Sequence, residues 1–236
     1  VSRGVVGVHA LLARLLPAHA GCAVVAIDDD ETLHADEAAY VADAVAARRR
    51  EFAAGRRAAR AALRALGVAA AGPLLPDADR VPRWPASVVG SITHTQHLAA
   101  AVVLPTTSAV SPAQTAPVGV GVDLEDAIAL PDELWPLVLT PAERAGRLHA
   151  DAAATALSPA LVARLHFCAK ESLYKCVFPV VRRPFDFTDV DLTFRAGDGA
   201  FVAHVHKAGV APDRVLRGRW GRAGDHFVAT TIWPSA

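Results

Sequence analysis

The chain alternates between stretches with helical spacing of apolar residues and shorter runs that read as strands. Near the N-terminus Leu11, Leu12, Leu15 and Leu16 fall on one helical face. Residues 22–27 (CAVVAI) read as a strand that runs into the acidic turn Asp28-Asp29-Asp30-Glu31. Residues 36–47 have helical composition, and 48–67 form a second helical stretch closed by Gly67. Around 100° per residue, Phe52, Ala59, Ala62, Leu63 and Leu66 make an apolar stripe there. The proline-rich segment 72–85 is a loop, and VVGSITH and HLAAAVV are strands about a turn. Residues 104–117, rich in Pro, Ser, Thr and Ala, are the expected junction.

The second half opens with VGVGVDLED (118–126), a strand. Thr140-Pro141-Ala142-Glu143 is a capping box, and Ser158-Pro159 begins a helix expected to end near Phe178, before Pro179. VDLTF, AFVAHVH, VLRGRW and HFVATTIW follow as strands. Each half therefore mixes helices with strands. The expected class is α+β, with lobes at 1–117 and 118–236.

Composition narrows the function classes. At 236 residues and 53% hydrophobic, with mean hydropathy +0.28, the chain builds a core and is not disordered throughout. Twenty-four basic residues balance 24 acidic ones, so no overall field recruits nucleic acid or an anionic membrane. Cys22, Cys168 and Cys176 are an odd set without C-x-x-C spacing, which argues against disulfides and zinc and for a cytoplasmic enzyme. The first residues imitate a secretory signal, but Arg14 interrupts the apolar stretch and an amphipathic helix is expected instead. No apolar run reaches the ~18 residues that a membrane span needs.

Four groups of residues could carry chemistry. In VGVGVDLED, Gly119, Gly121, Asp123 and Glu125 share one face of the strand. Glycines in a strand mark close approach by a ligand or another backbone, and two carboxylates beside them invite a hard cation. The plainer alternative is a strand leaving the core into a solvated turn. In HFCAKESLYKCVFP (166–179), Glu171 and Lys175 are spaced i,i+4, which by itself reads as a surface ion pair. Glu171 would also supply a third carboxylate to the first two. Arg48, Arg49, Arg50, Arg56, Arg57, Arg60 and Arg64 form either a solvated cationic face or a phosphate clamp. In GSITHT (90–95), hydroxyls, backbone donors and His94 could gather around an anion.

These segments, in this order, resemble the Sfp-type 4′-phosphopantetheinyl transferases, with the nearer likeness to the enterobactin synthetase component D-like bacterial subgroup. The resemblance covers about 36–194 and rests on RRREFAAGRRAARAAL, VPRWP, VVGSITHTQ, VGVDLED, LTPAER and FCAKESLYKCVFP with FDFTDVDLTF. It implies two similar α+β lobes in a pseudo-twofold arrangement within one monomer. It further implies transfer of phosphopantetheine from coenzyme A to a serine of an apo acyl, peptidyl or aryl carrier protein, with adenosine 3′,5′-bisphosphate released. Carried over, Asp123, Glu125 and Glu171 are the magnesium ligands and Arg48 and Arg56 contact the 3′-phosphate region. Thr93 and His94 match the pair at the coenzyme's phosphates, and Lys175 the lysine near the pyrophosphate. Glu171 is the favoured base for the carrier serine, with Lys175 or a water as alternatives. Many relatives carry a loop lysine where this chain has Pro76, leaving Arg80 or Arg83 as substitutes.

Rival readings are weaker. A magnesium-dependent nuclease would place its lysine two residues from an acid in a strand, and would be more basic. A dinucleotide-binding protein would need a third glycine and a helix after Gly121. A non-catalytic binding module would hold coenzyme A or a carrier protein without modifying it.

Overall fold

The computed structural model describes residues 2–69, 72–106, 117–195, 197–210 and 215–234. Most of the expected junction, 107–116, lies outside the described residues.

The first half contributes α1 (Ser2–Leu15), β1 (Gly21–Ala26), α2 (Ala35–Tyr40), α3 (Ala46–Ala65), β2 (Val88–His94) and β3 (Leu98–Pro105). The single helix expected over 36–47 is broken, because α2 ends after one and a half turns. Its buried Glu37 accepts hydrogen bonds from the His34 and Leu74 backbone N–H groups and from Arg60. Val41 then turns into the core, and α3 restarts beyond it. Gly67, at φ +77°, closes the end of α3 in the left-handed conformation that glycine adopts without penalty. Strands pair antiparallel in the order β1-β3-β2, and Ala58, Ala59, Ala62 and Leu63 seat α3 on β1 and β3.

The second half begins with β4 (Pro117–Asp126), followed by α4 (Trp135–Val138), α5 (Leu148–Thr155) and α6 (Pro159–Val181). β5 (Val190–Phe194), β6 (Ala200–Val205), β7 (Val215–Ala223) and β8 (His226–Pro234) complete an antiparallel sheet of order β4-β8-β7-β6-β5. Both sheets are covered by one long helix, α3 on the first and α6 on the second, but they differ in size, with three strands against five. The opposite faces share a core. Val8, Leu11, Leu12 and Leu15 of α1 pack among Leu98 and Val102 of β3 and Val120, Val122 and Leu124 of β4. Helix α1 also touches β7, so the first helix spans both halves.

Helix α6 does not stop before Pro179; it continues to Val181 with the proline in its last turn. A proline there forfeits the N–H that would meet the Lys175 carbonyl and crowds that carbonyl, and the helix runs only two residues further, to Val181. The helix starts as expected, with Ser158 Oγ accepting the Leu161 N–H and Pro159 at the first position. Among the described residues no single helix is long and apolar enough to cross a membrane.

Candidate active site

The site follows from how closely α6 lies on β4. Gly121 and Gly119 face the helix backbone. A Cβ on Gly121 would come within 1.8 Å of the Ser172 carbonyl oxygen, and one on Gly119 within 2.4 Å of the Cys176 oxygen. The glycines thus admit another backbone rather than a ligand. Because side chains alternate along a strand, Asp123 emerges on that same face, at the level where α6 presents Lys175. Lys175 Nζ donates to Asp123 Oδ1 at 2.6 Å. The i,i+4 spacing had paired Lys175 with Glu171; its ion pair is instead made with Asp123, 52 residues away in sequence.

Strand β2 flanks β4 without a backbone ladder, and hydroxyls take the place of carbonyls. The Val122 N–H donates to Ser91 Oγ at 3.1 Å and the Leu124 N–H to Thr93 Oγ1 at 3.2 Å. The Thr93 hydroxyl donates to Asp123 Oδ1 at 2.9 Å, and Lys175 approaches its oxygen at 3.3 Å. Thr93 is therefore fully engaged in placing Asp123 and Lys175, not a free phosphate donor.

Between the sheets' helices opens a cavity of about 900 Å³. Asp123, Glu125 and Glu171 all line it, as do Arg48, Arg56 and His94. Glu125 is pushed up to about 7 by burial and by the Asp123 charge, against the pull of Arg164 and Lys175. Burial also raises Glu171; Lys175 opposes that shift and Asp123 adds to it. For Lys175, burial alone would lower the pKa, but the charges of Asp123 and Glu171 prevail and raise it. The ammonium is thus held charged.

Whether a divalent cation fits can be tested on the oxygens. Asp123 Oδ2 is buried and makes no hydrogen bond, an expensive state for a carboxylate oxygen and one that a cation would relieve. Asp123, Glu125 and Glu171 line one cavity, and burial raises the pKa of the two glutamates. As they stand, no three His, Cys, Asp or Glu side chains among the described residues converge into a metal-binding group. Lys175 occupies Asp123 Oδ1, and Arg164 Nη1 holds Glu125 Oε2 at 3.0 Å. The donor set is oxygen-rich and suits magnesium.

Of the seven arginines on α3 and its approach, most are held elsewhere. The acidic turn before α2 pairs with Arg49 (Glu31), Arg50 (Asp29) and Arg57 (Asp28 and Asp30), while Arg60 pairs with Glu37. Arg48 and Arg56 face the cavity. Arg56 is buried, its Nε donating to the Leu74 carbonyl and its guanidinium lying 4.0 Å over the Phe52 ring; burial brings its pKa down to about 10, still charged at neutral pH. His94 Nε2 sits 3.2 Å from Arg48 Nη1, and its Nδ1 is 3.3 Å from the Thr95 carbonyl. Burial lowers the pKa of His94, which fits a neutral ring donating from Nδ1 and accepting at Nε2. In the proline-rich loop Arg80 lines the cavity, whereas Arg83 does not.

Sequence reasoning overlooked three supports. Arg164 lies seven residues before Glu171, two helical turns along the same face, where it meets Glu125 of β4. Ser91 shares its strand face with Thr93, which was the available signal for its part in joining β2 to β4. Nothing local announces the third, Lys170. It points away from the cavity and is fully buried, donating to Glu143 Oε2 (2.6 Å) and to the Val138 and Phe187 carbonyls. Glu143 also accepts from the Thr140 and Leu192 N–H groups, so the expected capping box doubles as the anchor of α6.

Comparison with known proteins bears on this arrangement. Residues 36–104 match the family model of the 4′-phosphopantetheinyl transferase N-terminal domain, and 119–230 that of the 4′-phosphopantetheinyl transferase superfamily. The 4′-phosphopantetheinyl transferase Svp of Streptomyces mobaraensis is 38% identical over 210 residues, 87% of this chain and 80% of its own. PptT of Mycobacterium tuberculosis is 36% identical over 193 residues, covering 78% and 79%. Npt of Nocardia iowensis is 32% identical over 217 residues, covering 86% and 90%. The holo-[acyl-carrier-protein] synthase structure of Thermotoga maritima overlays 51% of this chain and 65% of its own, at TM-score 0.39 and 19% identity, too distant to add weight. With both halves matched and relatives aligned over most of their length, the chain belongs to the 4′-phosphopantetheinyl transferase superfamily.

Proposed function

We propose that the chain is a magnesium-dependent transferase that moves the 4′-phosphopantetheine arm of coenzyme A to a serine of an apo acyl, peptidyl or aryl carrier protein. The observation that carries this reading is the Asp123–Lys175 contact, with Asp123 Oδ2 left without a hydrogen bond, in one cavity with Arg48 and Arg56. Residues 1–117 contribute the arginines with Thr93 and His94, and 118–236 contribute the acids and Lys175. One chain thus supplies the whole site, and a monomer suffices. Three free thiols fit a cytoplasmic location. The WP, GSITHT and FCAKESLYK segments favour the enterobactin synthetase component D-like branch.

Asp123, Glu125 and Glu171 would hold the ion. Magnesium bound there would neutralise the pyrophosphate and the charge that grows on the leaving phosphate. Arg56, fixed between Phe52 and Leu74, and Arg48 bind the phosphate on the adenosine ribose, so that remote binding energy places the reacting phosphorus. Arg80 supplies the positive charge absent at Pro76. Lys175 keeps a compact charge against the leaving phosphate. Glu171, directly or through a water, takes the proton of the carrier serine as Oγ attacks phosphorus and the bond to the adenosine bisphosphate breaks.

The deciding experiment incubates the protein with coenzyme A, magnesium and a panel of apo carrier proteins and weighs the carriers. A gain of one phosphopantetheine, lost with a chelator and regained with magnesium, is expected. Binding of coenzyme A without any change in carrier mass would overturn the catalytic reading.

A further inference from the structure

Helix α6 ends at Arg182, whose backbone is left-handed, φ 54°. Helices that close this way usually place glycine there, since a Cβ makes the conformation costly. The arginine is engaged three times. Its Nη1 donates to Asp77 Oδ2 at 2.6 Å and Asp79 Oδ2 at 3.1 Å, and its Nε to the Pro179 carbonyl at 3.1 Å. Asp77 and Asp79 belong to the proline-rich loop of the first half, more than 100 residues away in sequence.

Asp77 works in two directions. While Oδ2 meets Arg182, Oδ1 accepts the N–H groups of Asp79 at 2.9 Å and Val81 at 3.0 Å. The Asp77 N–H donates to the Val81 carbonyl at 2.9 Å, and the Arg80 N–H to the Asp77 carbonyl at 3.0 Å. These bonds close a turn at whose corner Arg80 is also left-handed, φ 65°. Asp79, Arg80, Val81 and Pro82 line the cavity, as do Phe178 and Pro179 at the end of α6; Asp77 and Arg182 do not. Two strained arginines thus stand at either end of one contact, and strain persists where the surroundings over-determine it.

We propose that Arg182 is a positioning residue for coenzyme binding: through Asp77 it latches the 77–81 turn to the end of α6 and holds Arg80 in the cavity wall. The proposal rests on coenzyme A being the ligand of that cavity. Single exposed ion pairs contribute little, and Arg182 is partly exposed. One guanidinium bridging two carboxylates and a carbonyl across the halves is a network, and its effect reaches affinity through the turn that carries Arg80.

The test compares Arg182→Ala, Arg182→Lys, Arg80→Ala and the double variant Arg80→Ala/Arg182→Ala. Coenzyme A binding is followed by calorimetry, steady-state rates are measured, and hydrogen exchange of the Asp79 and Val81 amides is followed without ligand. Arg182→Ala is expected to raise KM and Kd for coenzyme A roughly three- to tenfold. kcat stays within about twofold, and Arg182→Lys recovers part of the loss. Added to Arg80→Ala, it changes Kd by less than about 1.5-fold, since coupled residues are not additive. Both amides should exchange faster. An unchanged KM, or full additivity with Arg80→Ala, overturns the proposal. If the unaltered chain bound no coenzyme A, the functional reading and the latch's coenzyme role would fall together; exchange would still decide whether Arg182 orders the turn.

Discussion

Lys175 Nζ and Asp123 Oδ1 stand 2.6 Å apart, joining the middle of α6 to the end of β4. The Asp123 side chain is almost wholly buried, and that of Lys175 is partly buried. Asp123→Asn preserves shape and the Thr93 hydrogen bond but removes the charge. Transfer is expected to fall by at least ~100-fold, the scale of losing one electrostatic element of an active site. Circular dichroism should show the fold retained. Near-normal turnover in this variant would remove Asp123 from the chemistry.

Arg56 and Arg49 lie on one helix, yet only Arg56 faces the cavity, since Arg49 is tied to Glu31. Arg56→Ala should raise the KM for coenzyme A by roughly tenfold with kcat little changed, as loss of a charge-assisted phosphate contact does. Arg49→Ala should leave KM unaltered. Equal effects of the two would favour a general cationic face over a specific contact.

The close packing of α6 on β4 makes Gly121 sensitive. In Gly121→Ala the new methyl meets a backbone carbonyl, which cannot rotate away. A loss of about 2–4 kcal/mol in urea unfolding is expected, with transfer impaired because Glu171 and Lys175 shift with the helix. A variant of normal stability would show that the two elements separate without cost.

Ser91 joins the sheets by a single hydroxyl. Ser91→Ala leaves the Val122 N–H buried with no acceptor, a cost of about 1–3 kcal/mol. Ser91→Thr keeps the hydroxyl and should recover most of it. Chemical denaturation of the pair distinguishes the hydrogen bond from simple packing.

The anchor of α6 predicts an acid transition. Burial alone would raise the Glu143 pKa, but the charges and hydrogen bonds of His166 and Lys170 bring it down to about 2. A carboxylate depressed on folding stabilises above its unfolded pKa, near 4.5, and loses that contribution as pH falls toward its folded pKa. Stability should therefore fall between about pH 4.5 and 2, by on the order of 3 kcal/mol for this group. Lys170→Met should cost about 3–5 kcal/mol at neutral pH and flatten the acid dependence. A transition equally steep in that variant would assign it to other carboxylates.

Local pattern was enough for most elements and for which faces of β4 and α6 carry the acids and the lysine. Period-two alternation put Gly119, Gly121, Asp123 and Glu125 on one face, and helical spacing put Glu171 and Lys175 on another, because both periodicities are properties of backbone geometry alone. What that pattern could not supply was the choice of partner. Lys175 had Glu171 one turn away and took Asp123; Thr93 gave its hydroxyl to Asp123; the acidic turn at 28–31 claimed Arg49, Arg50 and Arg57. Arg164, Lys170 and Arg182 gained their roles only where distant segments met. Side-chain pairing is decided by which groups packing leaves within about 3 Å of each other and out of water, and such distances depend on how helices and sheets stack, not on spacing along the chain.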